Sequence, residues 1–460
     1  MKPNFKLISM SSLLILGLVG CGGGGSVGTT GSSQPYLDST YGLTSSPRIS
    51  VNGDLVYNNR GRELLLTATG EHYIAGWTET NAVDGNSNMS FTKFNSDGGY
   101  NPGFFPYMDY AGGNEKSFGV AMSKRGDLIF AGDRQDTSTS TITNMALGKM
   151  ATTGDAVTAF GGTTGYTTDI LGFGNSHGKD VAIQWNSADI TGALDTYILA
   201  GDGACDMCYG IIVASYTSGG LLNTGFGTSG TFRDTTNGSY ANEVKIAYAT
   251  KREIYVAGTV QRSGHKNFYI IRLLQNGVLD TSFGNGGIFE HDVNGAGMED
   301  IVHDITLLDD GSLIASGESG GNVALFRVDN FGNLVSTYGG GANGGVVLHT
   351  PSNYIATEFY VSRGRALELQ TDGKIVVGGD TRQDGFPVTT RAWVLRFNSD
   401  GTLDTTFAAD GEGYTLDGWH TEGFDVAIQP DGKILLGGST YFPNDRDGDD
   451  WDFMVSRFLP

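Results

Sequence analysis

A short phrase recurs along this chain at nearly even spacing, and that regularity limits the fold more than any other feature. It is clearest at Leu279 to Gly284, LDTSFG, and returns at Leu37 to Gly42 (LDSTYG), Leu222 to Gly227 (LNTGFG), Leu334 to Gly339 (LVSTYG) and Leu403 to Ala408 (LDTTFA), with looser copies ending at Phe104 and Phe160. A second mark, a pair of small residues after a strand-like run, stands at Ala75-Gly76, Ala131-Gly132, Ala200-Gly201, Ala257-Gly258, Ser316-Gly317, Gly378-Gly379 and Gly437-Gly438. From Gly76 to Gly438 the period is about 60 residues, longer than a helical solenoid unit and closer to a propeller blade.

Within a unit the pattern is β. The last copy reads Asp425 to Gln429, a Pro430-Asp431-Gly432 turn, then Lys433 to Gly437, runs of strand length bounded by turn chemistry. A third strand is expected at Asp452 to Phe458, and a fourth follows the recurring phrase, as at Ile288 to Asp292. The sequence therefore predicts an all-β, seven-bladed β-propeller over residues 36–460 with four strands per blade. The chain stops after the third strand of the last unit, while a copy of the phrase and the segment Pro47 to Val51 stand before the first unit begins. The N-terminal segment is expected to pair with the last blade and close the ring, which removes both exposed sheet edges.

The strings DGKIVVGG, RFNSDGTLDTTF and LLQNGVLDTSFG resemble the delta-60 repeat family, bacterial surface or secreted proteins assigned to a β-propeller domain of unknown function. The resemblance spans nearly all of residues 36–460 and is strongest in the fourth, sixth and seventh units; the third departs from it by an insertion, Asn186 to Leu194. It implies the fold and adds no chemistry.

Residues 1–20 carry Lys2 and Lys6 and then an apolar run through Leu13 to Val19, a charged region followed by a hydrophobic one. The run is shorter than the ~20 apolar residues a membrane span needs. It ends in Leu18-Val19-Gly20-Cys21, which resembles the lipobox of bacterial lipoproteins, where the signal peptide is cut before the cysteine and the thiol takes a lipid. Cys21 is thus the expected lipidation site and its lipid the link to the membrane. Gly22, rather than Asp, follows it, which in bacteria with two membranes resembles cargo released to the outer membrane. Residues 21–35 are rich in Gly, Ser and Thr, the composition of a flexible tether. The expected location is extracytoplasmic.

The formal net charge is −21, a surface that repels nucleic acid, whose binding needs clustered Lys and Arg. Acids gather in the connections of one face: Asp84, Asp133 with Asp136, Asp202 with Asp206, Asp380 with Asp384, and a run near the C-terminus. Variable loops on a rigid scaffold are where binding usually resides. In the last group Asp445, Asp447, Asp449, Asp450 and Asp452 are candidate calcium ligands, because a hard cation gathers about six to eight oxygens. The glycine of this run is misplaced for an EF-hand, so a solvated acidic loop is the competing reading. Cys205 and Cys208 form the only CxxC. Without a βαβ pattern or a second cysteine pair it reads as a local disulfide, with free thiols or partial metal ligation as the alternatives.

The third strand of most units carries a cation (Lys93, Lys149, Arg272, Arg327, Arg396, Arg457), with Ser215 as the exception. These read as structural, pairing with the acid of the following phrase, as Asp280 and Asp404. The aromatic of each phrase reads as packing between blades. Histidines are scattered over the units, and no GxSxG, P-loop or dinucleotide fingerprint occurs in a fitting context. The functional expectation is a monomeric, non-catalytic binding or scaffold module that engages a protein or glycan on its acidic loop face, with calcium if the aspartate run binds it. The alternative is a propeller enzyme, a hydrolase, lyase or quinoprotein-like oxidoreductase, with its site at the central opening near Trp419 and His420.

Overall fold

Tight turns punctuate the chain. In the QNG, SDG and PDG turns the glycine holds a positive φ, 80° at Gly277, 88° at Gly401 and 84° at Gly432, a conformation that a residue without Cβ adopts at little cost. Between such turns the runs are rich in Val, Ile, Leu and aromatics and form strands. The computed structural model describes residues 37–38, 41, 48–51 and 58–460, apart from 80–85, 102–103, 105–106, 109–112, 136–141, 163, 168–170, 172–173, 190, 206–207, 249–251, 294, 296, 352–358, 385–388, 409, 415–419 and 446–447. Residues 1–20, expected as a signal peptide, Cys21 and the rest of the expected tether lie outside the described residues. Among those described, no helix is long and apolar enough to cross a membrane.

After β1 (Arg48–Val51) comes an antiparallel sheet of β2 (Asn58–Leu66), β3 (His72–Glu79), β4 (Ser87–Phe94) and β5 (Tyr107–Met108). The second sheet holds β6 (Glu115–Met122), β7 (Leu128–Gln135) and β8 (Thr143–Met150). The third holds β9 (Ser176–Gln184), β10 (Thr196–Cys205), β11 (Cys208–Thr217) and β12 (Thr231–Arg233). The fourth is β13 (Ser239–Ile246), β14 (Ile254–Arg262), β15 (His265–Leu273) and β16 (Ile288–His291). The fifth is β17 (Asp300–Leu307), β18 (Leu313–Ser319), β19 (Asn322–Val328) and β20 (Val346–His349).

The remaining strands form one eight-stranded sheet with two antiparallel halves. One half is β21 (Phe359–Leu369), β22 (Ile375–Asp384), β23 (Thr389–Phe397) and β24 (Glu412–Tyr414); the other is β25 (His420–Ile428), β26 (Ile434–Asp445), β27 (Gly448–Phe458) and the N-terminal β1. A single parallel bridge, Thr390 to His420, joins the halves. β1 lies antiparallel on β27, from Arg48 opposite Ser456 to Val51 opposite Phe453. Upstream of it Leu37 bridges Phe458, and the Asp38 N–H donates to the Arg457 carbonyl at 3.0 Å.

The second sheet departs from the expected four strands. Among the described residues its fourth position holds Tyr166, which bridges Gly148, and Thr167, whose N–H donates to the Leu147 carbonyl at 2.8 Å.

The first strand of each sheet touches the first strand of the next: β2 meets β6, then β9, β13, β17, β21 and β25 in succession, and β25 meets β2 again. The sheets therefore stand around an axis with their first strands innermost, a β-propeller architecture.

Apolar clusters fill the space between neighbouring sheets. One joins Ala257, Phe268 and Phe289 to Val302, Ala315 and Phe326; another joins Leu64, Ile74 and Phe94 of the first sheet to Leu435, Phe453 and Val455 of the last. The recurring phrase clasps the same seams. Gly227 N–H donates to the Asn276 carbonyl, Gly284 N–H to that of Phe331 and Gly339 N–H to that of Asp400, each at 2.7 Å across to the following sheet. The aromatic of the phrase lies against the turn glycine of that sheet: a Cβ on Gly277 would stand 2.6 Å from the Phe226 ring, and one on Gly401 2.6 Å from Tyr338. Arg272 pairs with Asp280 at 2.9 Å, Arg396 with Asp404 at 2.8 Å and Arg457 with Asp38 at 2.9 Å. In other units the third-strand cation reaches an acid near the first turn instead, as Lys93 to Glu71 at 2.8 Å and Lys149 to Asp127 at 2.9 Å.

Candidate functional site

Each first strand carries one irregularity at the same place. The pairing of first and second strands shifts between Gly61 and Glu63, Ser117 and Gly119, Ala241 and Glu243, Val302 and Asp304, Gly364 and Ala366, and Gly423 and Asp425, with the equivalent shift opposite Ala200 and Gly201 in the third sheet. A bulge of this kind re-aims side chains and sharpens the twist. It places two layers of charge at the centre, one above the other.

The deeper layer is acidic and binds the sheets together. Asp180 Oδ2 accepts the Val244 N–H at 2.9 Å, Asp304 Oδ2 the Leu367 N–H at 2.7 Å and Asp425 Oδ2 the Leu64 N–H at 2.7 Å, each from the following sheet. The second oxygen of each accepts the N–H of the next residue in its own strand. Lys245 is the cation of this layer, 2.5 Å from Glu243 and 3.8 Å from Asp304. Burial, reinforced by Asp304, pushes the Asp425 carboxyl up to about 8 against the two N–H donors that favour its ionised form. Burial also holds Glu63 and Glu243 well above the usual carboxylate range. For Lys245 burial works downward, but Glu243 and Asp304 outweigh it and keep the ammonium well above its ordinary value.

The outer layer, toward the start of the first strands, is cationic and aromatic. Arg62 lies 3.9 Å from the centroid of Phe424 and 4.8 Å from Trp77. Lys116 sits 4.9 Å from the same Trp77, whose ring centroid is 5.6 Å from that of Phe118, and Lys179 lies 5.4 Å from Phe118. Arg365 stands 4.5 Å from the same Phe424 ring and pairs with Asp380. Arg363 reaches Glu318 at 3.2 Å and Asp380 at 3.6 Å, and Arg60 reaches Glu422 at 3.3 Å while lying 3.6 Å from the Trp451 ring. Burial, with Arg365 next to it, pushes Arg62 down to about 9. Burial and then Arg365 and Arg363 hold His303 well below its ordinary value.

Several acids expected in loops are strand residues turned toward this mouth. Asp133 takes His177 Nδ1 at 2.8 Å and the Gly178 N–H at 3.1 Å; Asp202 accepts the Tyr209 hydroxyl at 2.6 Å. Asp202 and Asp380 are fully buried. Asp84, Asp136 and Asp206 lie outside the described residues.

Of the candidate calcium ligands, Asp447 also lies outside them, and Asp445, Asp449 and Asp450 are placed by backbone alone in the β26–β27 hairpin. Asp452 is buried, and its Oδ1 accepts Asn59 Nδ2 of the first sheet at 3.2 Å. Among the described residues no three His, Cys, Asp or Glu side chains come together as a metal set. Cys205 and Cys208 face each other at the end of the β10–β11 hairpin, where Cys208 is disulfide-bonded. His420 packs edge-on to Tyr441 and beside Trp451, at the rim; Trp419 lies outside the described residues.

The cationic layer is what the reading by loops overlooked. Its signal is present when the first strands are aligned on the bulge: RGRE, KSFG, HGKD and RGRA all place a cation at the bulge or two residues before it. Two clefts, of 580 and 710 Å³, lie between neighbouring sheets away from this mouth. The second is lined by the exposed pair Arg262–Glu290, which already satisfies itself at 2.8 Å; neither gathers side chains from as many sheets as the axis does.

Fold and sequence together define an all-β protein of the β-propeller class. Residues 252–283, 370–407 and 429–449 match the family model described as a domain of unknown function (DUF5122) β-propeller, less than half of the chain. No curated protein matches the chain. Among solved structures it is similar to a protein of unknown function from Dyadobacter fermentans, at 11% identity over 90% of this chain and 97% of that one with a TM-score of 0.45. It is also similar to the phage phi92 endosialidase (8% identity, 90% and 68% covered, TM-score 0.46) and to the β-propeller domain of the Trilobed protease from Pyrococcus furiosus (8% identity, 86% and 95% covered, TM-score 0.39).

Proposed function

We propose that this chain is a lipid-anchored, extracytoplasmic propeller of seven blades that acts as a non-catalytic binding or scaffold module for a protein or glycan of the cell envelope, with the ligand seated at the axial mouth. The observation that carries the binding site is the convergence there of Arg60, Arg62, Lys116, Lys179, Arg363 and Arg365 with aromatic rings from several sheets. Concave openings with a few convergent polar groups are where ligands bind. The blade count is supported by the unbroken succession of first strands that returns from β25 to β2, and closure by β1 lying on β27. The lipid anchor rests on Leu18 to Cys21; Cys21→Ser should abolish labelling by a lipid precursor and release the protein from membranes.

To test the site, the full chain is immobilised and challenged with envelope polysaccharide and protein fractions, beside Ile301→Trp, which adds bulk to a half-buried first-strand position of the rim. Retained material that Ile301→Trp no longer holds is the expected result. Equal retention by both would move the ligand to another surface.

A further inference from the structure

We propose that Arg62, Lys116 and Lys179 form an oxyanion-binding site at the axial mouth, taking the carboxylate, sulfate or phosphate group of a compact ligand; this rests on the mouth being the binding site. The three cations occupy consecutive first strands and share rings: Arg62 lies on Phe424 and Trp77, Lys116 on the same Trp77, and Lys179 on Phe118, which packs against Trp77. Among the described residues none of the three side chains makes an ion pair or a hydrogen bond at contact distance; each rests on an aromatic face, with Glu422 and Asp380 acting on Arg62 and Asp202 on Lys179 from further off. Every other cation named at this mouth has a carboxylate: Arg60 has Glu422, Arg363 has Glu318 and Asp380, and Arg365 has Asp380.

Such an arrangement is costly to a protein with no use for it. A charge withdrawn from water without a partner is unfavourable, and the Nε of Arg62 is buried with no acceptor. Proteins do place guanidinium and ammonium groups on aromatic faces, but that leaves the donors of the cations free to meet oxygen atoms. The planar fork of Arg62 suits a bidentate oxyanion, and the two lysines add point charges beside it. The net charge of −21 does not cancel this field, because charges beyond about 8–10 Å are screened at physiological salt. The nearer acids of the rim are engaged: Asp133 with His177, Asp202 with Tyr209 and Asp380 with its two arginines. They keep their negative charge and so disfavour long polyanions, and the fitting ligand carries one or a few oxyanion groups.

Isothermal titration of the full chain with glucuronate, glucose 6-sulfate, glucose 6-phosphate and neutral glucose tests this, beside Arg62→Gln, Lys116→Gln and Lys179→Gln. At least one oxyanion sugar is expected to bind, and to raise the melting temperature by mass action, while glucose does neither; which of the three binds identifies the group. Arg62→Gln should weaken binding at least tenfold, each lysine change should weaken it severalfold, and the ligand-free Arg62→Gln protein should melt no lower than wild type. Arg262→Gln, remote from the mouth, should bind as wild type does. The proposal is overturned if no oxyanion sugar binds, if glucose binds equally, or if Arg62→Gln binds like wild type. Should that happen while Ile301→Trp still blocks the envelope ligand, the mouth remains the site and only its oxyanion chemistry is lost; if Ile301→Trp has no effect, the mouth itself is wrong.

Discussion

Glycine and arginine do different work at the seams between sheets, and each can be tested singly. Gly277 and Gly264 both hold positive φ, 80° and 93°, but a Cβ on Gly277 would meet Phe226 at 2.6 Å while one on Gly264 has open space. Left-handed strain alone costs about 1–2 kcal/mol. Crowding of a packed ring adds about 1–3 kcal/mol. Gly277→Ala should therefore lose clearly more stability in urea unfolding than Gly264→Ala; equal losses would mean that Phe226 moves aside freely. Arg272 shields Asp280. Its replacement by Met leaves that carboxylate unpaired, at about 3–5 kcal/mol, and Asp280→Asn added to it should recover part of the loss. Against burial, Ser282 and then Arg272 hold the Asp280 carboxyl below its usual range. Its contribution is thus present above the ordinary carboxylate pKa and lost as pH falls below it, so the deficit of Arg272→Met should shrink toward pH 3.

At the scale of strands, the carboxylates that follow the bulges fasten one sheet to the next through the backbone. Asp180→Ala strands the N–H groups of Val181 and Val244, and Asp425→Ala those of Val426 and Leu64. An unsatisfied buried donor costs about 1–3 kcal/mol, so either change should lower the melting temperature by several degrees without altering the circular dichroism of the folded state. β1 and the residues before it make the seam between last and first sheets: Tyr41 is fully buried, bonds His72 Nε2 at 2.5 Å and lies beneath Arg457 at 4.4 Å. Deleting residues 36–52 removes that ring and bares the β27 edge, and it should destabilise the whole domain in one cooperative transition. An unchanged melting temperature would mean that β1 is dispensable to the fold.

For the whole molecule, the acidic layer sets a dependence on pH opposite to that of the seam pairs. A carboxyl such as Asp425, raised in the folded state to about 8 by burial and Asp304, contributes stability that is complete below the unfolded carboxylate pKa of about 4 and declines as pH rises to about 8. The melting temperature should accordingly fall between pH 5 and pH 9. Lys245 opposes that decline, since it is the cation beside Glu243 and Asp304. Lys245→Met should therefore cost more at pH 8 than at pH 5, and a uniform cost would mean that the acids are ionised throughout. Much of the architecture was legible beforehand. The phrase, the strand–turn–strand units and the third-strand cations pairing with Asp280 and Asp404 all depend on residues close in sequence. Asp452 was less so, because its partner Asn59 stands at the other end of the chain.

What the sequence by itself determined is whatever a single unit can express: the period, the strands, the left-handed turn glycines, and the aromatic that each unit lends to its neighbour. These follow from local backbone preference and from a pattern copied along the chain. What only the tertiary structure decided is which units meet at the axis. Arg62 and Arg365 share Phe424 although hundreds of residues separate them, and Lys116 borrows the Trp77 of another sheet. Whether a cation finds a carboxylate there depends on the geometry of several sheets at once, because ion pairing acts over a few ångströms of space and is indifferent to distance along the chain.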